Sequence, residues 1–537
     1  MIASRVLGWW IDKVFYLSDG SQVVNVRDYG ATGNGITDDA NAIAAAIAAV
    51  SGMGGTVYFP PGTYKVGTAI VPANDVALIG SGVGSAIIAP AGSVSAVLGA
   101  GTKANPLTRF TMAHLTIDGA NQGPAFNVGI KGVFCQYLAQ CQFEDLIIQN
   151  CAATGLGIDF LTQGTVIHAV RAIGNGRLNR GGGSGGGSSG IGIGTGQYPV
   201  EDFVISDCYA ASNGRYGIFI ESQTGQTSYG MRIANCFATG NLNHGFGSAG
   251  GNGTIWSHCV AYANNIDGFS IDNGTIGAFA QPSSNDVYIG CQSIGNARHG
   301  FSYQPTAQNS TSVAGGGNHV YSACVSRANS GLGFNVASVA GHPVAGLTYT
   351  GCHAFGNGMS GLAVQGASND LRVNGCVFNA NGQKSSTSNS GILLGAAVDN
   401  IQIVDCRAYD SGSPRRQTYG IQIASGVIAS TGDIHGNDLR GNATGAVNIA
   451  GGLQGVVLRN NLGYDPLGSA VLTPGASPFA YTAGATDQVV TVAGGAVSGI
   501  NYAGQATGLT SGAFALSSGQ TLTVTYTVPP KMVTNWV

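Results

Sequence analysis

Charge is scarce in this chain: 22 Lys and Arg and 25 Asp and Glu stand among 537 residues, a net of −3. Gripping a phosphate backbone takes clustered cations, so nucleic acid is excluded as the main partner. No apolar run approaches the 18 or so residues of a membrane helix, which excludes a helical span. Zinc-type Cys and His spacings are missing, as are a phosphate-cradling loop, a dinucleotide fingerprint and a nucleophilic Ser or Cys triad. No metal or cofactor is therefore expected. The opening "MIASRVLGWWIDKVF" carries Asp12 inside its apolar patch and no small-residue cleavage site behind it, so residues 1–23 read as an amphipathic anchor rather than an export signal.

Glycine, by contrast, is abundant at 88 residues, and so is one phrase. Eleven cysteines, an odd number, look at first like a disulfide framework, but nearly all fall in repeats such as "DCYAASNG", "NCFATGN", "GCQSIGN" and "GCHAFGNG". The anchor Cys recurs at 208, 236, 259, 291, 324, 352, 376 and 406, with Val170 in its place one unit earlier and Cys151 one unit before that. A file of small thiols reads as core, because free Cys behaves as a modest hydrophobe.

Each unit offers short alternating strands such as "VISDC" and "GIFIE", separated by Asn-Gly turns whose residues tolerate left-handed backbone angles. One unit cannot hide its apolar face, so successive units must stack. The fold predicted is all-β, a right-handed parallel β-helix over residues 24–465. In "GITDDANAIAAAIAAVSG", Thr37 is placed to cap a helix with Asp38 and Asp39 in its first turn, Ile43, Ile47 and Val50 on one face, and Gly52 as its stop. That helix would cover the open end of the stack. Residues 466–537 abandon the Cys phrase and alternate in about five short strands, as a small β-sandwich module does, with Asp465 and Pro466 at the boundary. "GGGSGGGSSG", residues 181–190, reads as a flexible insertion within one coil.

If Ile218 and Ile220 point inward, Phe219 and Glu221 point outward. The outward column at the Glu221 position then runs Asp159, Gly194, Glu221, Ala249, Asp272, Gln304 in successive coils. Glu221 is two coils from Asp159 and two from Asp272, roughly 9 to 10 Å at about 4.8 Å per coil. That is of the size of the carboxyl spacing of inverting glycoside hydrolases, about 6.5 to 9.5 Å, so either pair could serve as acid and base, with Glu221 and Asp272 the pair expected first. A second column, just before the turn glycine, reads Tyr216, His244, Asp267, His299, Leu332, Ser360, with Arg215 and Arg298 adjacent. Rings and polar groups along a shallow groove suit carbohydrate, which presents apolar faces rimmed by hydroxyls.

The segment "VNVRDYGATGNGITDDANAIAAAIAAVSGMGGTVYFPPGTYKV" resembles the N-terminal signature of the pectate-lyase-like superfamily, which includes polygalacturonase-like hydrolases, mannuronan epimerases and phage tailspikes and tail fibres. The resemblance covers roughly residues 24 to 463 and implies a β-helix whose outer face binds polysaccharide. "NARHGFS" and "IDGFSID" resemble segments of mannuronan epimerases; carried over by position, Arg298, His299 and Asp272 would line a sugar-binding cleft. Where those epimerases have Asp-Pro-His-Glu, this chain reads "HGFGSAGG". The C-terminal segment is similar to modules of phage tail proteins. Together these resemblances imply a homotrimeric virion tail protein, joined to other tail proteins through its N-terminal segment. It would bind, and as a depolymerase cleave, a cell-surface polysaccharide, with a non-catalytic receptor-binding fibre or a secreted bacterial lyase or epimerase as alternatives.

Overall fold

The computed structural model describes the chain except residues 1–7, 12–13, 18–21, 83, 89, 161–162, 181–185, 225–227, 277–278, 306–315, 339–340, 385–388, 465–468, 485 and 537. Residues 8–11, 14–17, 275–276 and 279–280 are described by their backbone alone. The chain divides into two compact units, Met1–Gly331 and Leu332–Val537.

In the first unit the chain winds as a parallel β-helix. One coil holds the strands Val204–Ser206, Tyr209–Ala211 and Ile218–Ser222. Each pairs in parallel with its counterpart one coil on, Val204 beside Arg232, Tyr209 beside Phe237 and Ile218 beside Phe246. Three parallel sheets result. A single left-handed residue makes the corner between the first and second strands: Asp207, Asn235, His258 and Gly290 have φ of 55°, 54°, 52° and 61°. A second such corner follows the second strand, at Ser212, Gly240, Ala263 and Gly295.

The asparagines of the Asn-Gly phrase are not these corners. Asn175, Asn213, Asn241, Asn264 and Asn296 are all buried and form a ladder through the coils. Asn264 Oδ1 accepts from the Asn241 backbone N–H at 3.1 Å and from Asn241 Nδ2 at 2.9 Å, while Asn264 Nδ2 donates to the Ala238 carbonyl at 3.1 Å. The side chain is needed for its paired donor and acceptor, which satisfy backbone groups that would otherwise be buried unbonded.

The cysteine file lies inside as expected, and all eleven cysteines are buried, none of them joined in a disulfide. Its early register differs from the sequence reading. Val170 does stand beside Cys208, but Leu146 stands beside Val170, and Cys151 heads the asparagine ladder, its N–H donating to Asn175 Oδ1 at 3.2 Å. Aromatic rings continue the core vertically, with Phe269 stacked on Phe246 at 4.9 Å and on Phe301 at 4.6 Å, and Tyr288 on Tyr321 at 4.9 Å. Burying each such ring stabilises the stack by roughly 2 to 3 kcal/mol.

The helix spans Ala40–Val50 and buries Ile43, Ala46, Ile47 and Val50 against the first strands, Gln22–Asn25 and Gly55–Phe59. It begins later than the sequence reading, with Asp39 at the N-cap and Ser51 at the C-cap. Thr37 lies instead in the strand Asn34–Asp38. The Asp38 carboxylate takes over the capping work, accepting from Ala40 N at 3.0 Å and Gly67 N at 2.8 Å, whereas Asp39 receives the loop N–H groups of Thr32 and Gly33. Before the helix, Gly8–Ile11 and Val14–Leu17 form an antiparallel hairpin that joins Gln22–Asn25.

The second unit repeats the three-strand coil, for example Leu362–Val364 beside Ile392–Leu394 and Val377–Asn379 beside Arg407–Tyr409. Among the described residues its C-terminal part has eight strands rather than about five, in two four-stranded antiparallel sheets. Val490, Val492, Phe514, Leu516, Val524 and Met532 fill the space between them. The boundary residues Asp465 and Pro466 lie outside the described residues.

Candidate functional site

The register places the outward column as the alternation predicts. Gln136 stands beside Asp159, Ile158 beside Ile193, Gly194 beside Glu221, Glu221 beside Ala249 and Ala249 beside Asp272. Asp159 and Glu221 open into one hollow of about 140 Å³, together with Lys131, Phe219 and Gln223. Asp272 is not among its lining residues; its Oδ1 accepts from the Asn273 N–H at 2.7 Å. Gln304 follows it in the column and is half-buried.

Lys131 is the residue the sequence reading missed. It is buried, with Nζ 3.1 Å from both Asp159 oxygens and 3.8 Å from the centroid of the Phe134 ring. Gln223 Nε2 donates to Asp159 Oδ1 at 3.1 Å from the other side. The signal was present: "KGVFCQ" repeats the pattern of "YGIFIE", and Val133 stands beside Leu156 in the register, which puts Lys131 in the second column, three coils before Tyr216. A chain-wide search for acids passes over a cation at that place.

Outward glycines make room for these side chains. A Cβ at Gly157 would collide with the Lys131 stem, one at Gly194 with the Gln223 amide, and one at Gly247 with the Tyr216 and Phe219 rings. The lone polyglycine insertion contributes as well. Residues 181–185 lie outside the described residues, but Gly186 and Gly187 line the hollow and Ser188 to Gly190 are buried, the Gly190 N–H donating to the Tyr216 carbonyl at 3.0 Å. The second half of that segment is thus a fixed wall of the coil and not a loose linker.

Burial pushes the Glu221 carboxyl above its ordinary range; Arg215 and Lys131 pull against that and the Asp159 charge adds to it. Glu221 is thereby suited to hold a proton that ordinary surface carboxyls have lost. Beside it Tyr216 stacks on Phe219 at 4.3 Å and on His244 at 5.0 Å, forming a flat aromatic shelf, with the Arg215 guanidinium 5.3 Å from the Tyr216 ring. Burial raises the Tyr216 hydroxyl to about 12, so it stays a neutral hydrogen-bonding group.

Asp267 is fully buried and serves as the tie for this row. It accepts from Arg298 Nε at 2.8 Å and the His299 N–H at 2.9 Å, with His244 Nδ1 at 3.3 Å. Burial alone would raise its carboxyl, but the bonds from Arg298 and His244 hold it well below the usual carboxylate range. With no exposed surface of its own, it acts on the outer face by orienting Arg298 and His299. Burial lowers the His299 imidazole, which favours its neutral form. Among the described residues no cluster of three or more His, Cys, Asp or Glu could hold a metal ion, and no helix is long and apolar enough to cross a membrane.

Known proteins agree with this architecture. Mannuronan C5-epimerase AlgE6 of Azotobacter vinelandii is 41% identical over 106 residues, 18% of this chain and 12% of the epimerase. The chain therefore matches only a small part of that relative's length. The tailspike protein of E. coli bacteriophage HK620, solved in complex with a pentasaccharide, superposes with a TM-score of 0.55 at 11% identity, covering 99% of this chain and 97% of the tailspike. The Dettilon tailspike protein gives 0.53 at 12% identity, covering 96% of this chain and 94% of that one. At such identities the likeness speaks for fold alone. Residues 23–268 are similar to the family model of rhamnogalacturonase A/epimerase, pectate lyase-like, and residues 189–378 match that of the right-handed beta helix region, so the coils described above are those of a right-handed parallel β-helix.

Proposed function

We propose that this chain is a phage-type tail protein, a tailspike or tail fibre, that binds a cell-surface polysaccharide along the face bearing Asp159, Glu221 and Asp272. The observation that carries the reading is the Tyr216, Phe219 and His244 shelf laid beside a hollow with two carboxyls. Sugar rings stack on such a shelf while Arg215, Arg298, His299 and Gln304 are placed to meet their hydroxyls. Tailspikes share the fold along nearly the whole chain, which supports the setting; a trimer attached through its N-terminal segment is the assembly proposed with it.

Within this reading the chain is a depolymerase. Glu221, whose carboxyl is raised by burial, gives its proton to the glycosidic oxygen. Asp159, two coils away at roughly 9 to 10 Å between backbones, takes a proton from the water that attacks the anomeric carbon. Lys131 and Gln223 fix the direction of the Asp159 carboxylate. Asp272 lies further along the same face, as part of a neighbouring sugar subsite. One observation favours a second reading, a receptor-binding fibre without cleavage: both Asp159 oxygens are already engaged by Lys131 and Gln223.

Reducing-end and viscosity assays on bacterial surface polysaccharides, run with wild type, Glu221→Gln and Asp159→Asn, separate the two. Cleavage by wild type that both variants lose, with binding retained, establishes the depolymerase. Binding without cleavage leaves the fibre. Cleavage that survives Glu221→Gln removes the acid assignment, and absence of binding to any such polysaccharide removes the whole reading.

A further inference from the structure

The second unit holds a hollow of about 590 Å³ whose lining has a different chemistry from the one at Glu221. Lys384, Arg415 and Arg416 line it, with Thr418 and Thr444. Three of the chain's 22 cationic side chains thus meet in one concavity of a protein whose net charge is −3. Among the described residues none of the three lies within ion-pair distance of a carboxylate, although Arg109, Arg298, Arg407, Arg440 and Arg459 all do.

The acid of the same turn, Asp410, explains how this is kept so. Asp410 is buried, and its carboxylate is turned inward onto backbone, accepting from Gly412 N at 2.8 Å, Gln417 N at 2.7 Å and Arg416 N. The same turn then fixes the cations without neutralising them. Arg415 Nε donates to the Asp410 carbonyl at 3.2 Å, and the Arg416 guanidinium donates to the Gln383 carbonyl. A guanidinium tied by one arm to a carbonyl keeps its charge and its remaining N–H groups, and has already lost much of the freedom that binding would otherwise remove.

We propose that this hollow binds the anionic group of an acidic polysaccharide, a uronate carboxylate, held by Arg415 and Arg416 with Lys384 as a third positive charge. The planar fork of a guanidinium matches the planar carboxylate, and charge-assisted bonds of this kind are about twice as strong as neutral ones. The inference rests on the reading of the chain as a glycan binder but not on Glu221, since none of these residues lines the hollow at Glu221.

Calorimetric titration of the full chain with trigalacturonate, with neutral maltotriose and with inorganic phosphate tests it. Wild type is expected to bind trigalacturonate at least about tenfold more tightly than maltotriose or phosphate, with affinity falling as salt is raised. The double variant Arg415→Gln, Arg416→Gln should lose about tenfold and most of the salt dependence. Lys384→Gln, which touches no backbone bond, should lose about threefold and Lys384→Glu more; this pair carries the test if melting curves show the double variant misfolded. Glu221→Gln should leave this binding unchanged. Trigalacturonate binding that survives in Glu221→Gln, when no bacterial surface polysaccharide binds or is cut, sinks the proposed function and leaves this site standing. Wild-type affinity for trigalacturonate in the folded double variant and in Lys384→Glu, equal binding of maltotriose, phosphate bound as tightly as the trisaccharide, or loss of binding in Glu221→Gln would each overturn it.

Discussion

Lys131 Nζ stands 3.1 Å from each carboxylate oxygen of Asp159, a cation and an acid 28 residues apart brought together by one turn of the coil. The lysine side chain is 9% exposed and the aspartate 22%, so the pair is shielded from water and its members depend on one another. Removing the cation leaves a partly buried carboxylate with Gln223 as its remaining bonded side chain. Lys131→Met should cost about 2 to 4 kcal/mol, below the upper range for a fully buried pair because Asp159 keeps some solvent contact. Asp159→Asn in the same background should recover part of that. Denaturant melts of the two single variants and the double variant check it; strictly additive losses would show that the two groups do not interact.

The asparagine ladder gives a second prediction. Asn264→Ala removes the acceptor for the Asn241 N–H and Nδ2 and the donor to the Ala238 carbonyl, all inside the stack where water does not replace them. Leaving such groups unbonded should destabilise the fold by about 2 to 3 kcal/mol. An exposed corner such as Ser212→Gly should change stability by less than about 0.5 kcal/mol, since glycine accepts its φ of 56° freely. Thermal melts of both variants give the comparison.

The same ladder shows what the sequence made legible and what it hid. Stacking, register and the outward acid column follow from alternation and repeat length, because a one-residue slip would turn every Ile and Cys to solvent. The asparagines carried the right spacing but an ambiguous chemistry, since Asn both tolerates left-handed backbone and bonds buried amides. In the fold it is Asp207, Ser212 and Ala263 that do the turning. Lys131 was hidden for another reason. Its partner Asp159 is one coil on, and one-dimensional sequence shows neither the pairing nor the space that Gly157 leaves for its stem.

Asp286 and His319 give a pH prediction of opposite signs. Both are fully buried, with the Asp286 N–H 3.3 Å from His319 Nδ1. Burial pushes the Asp286 carboxyl up to about 7 from an ordinary 3.8, so between these values the folded chain keeps a proton the unfolded chain has released, and stability falls as pH rises. Burial pushes the His319 imidazole down to about 3 from 6.5, so between these values the unfolded chain binds the extra proton, and stability rises with pH. Over about pH 4 to 6.5 the two slopes, each at most about 1.4 kcal/mol per pH unit, oppose one another. His319→Phe should expose the falling slope and Asp286→Asn the rising one, in melting temperatures recorded across that range. Parallel pH profiles for the two variants would rule the compensation out.

Gly247 tests the aromatic shelf without touching it. Its φ is not left-handed, so alanine meets no backbone strain there, but the new Cβ collides with the Tyr216 and Phe219 rings. Gly247→Ala should therefore shift the stack off His244 while leaving the coil register intact, because that register is set by the inward Phe246 and Ser248 beside Phe269 and Ile271. Glycan binding should weaken by about three- to tenfold, the loss of roughly 1 kcal/mol of ring contact. Affinity electrophoresis on the bound polysaccharide measures this, with a thermal melt as the control for folding. Unchanged affinity with displaced rings would mean that sugar does not rest on the shelf, and the groove would then have to be sought further along the face, toward Asp272 and Gln304.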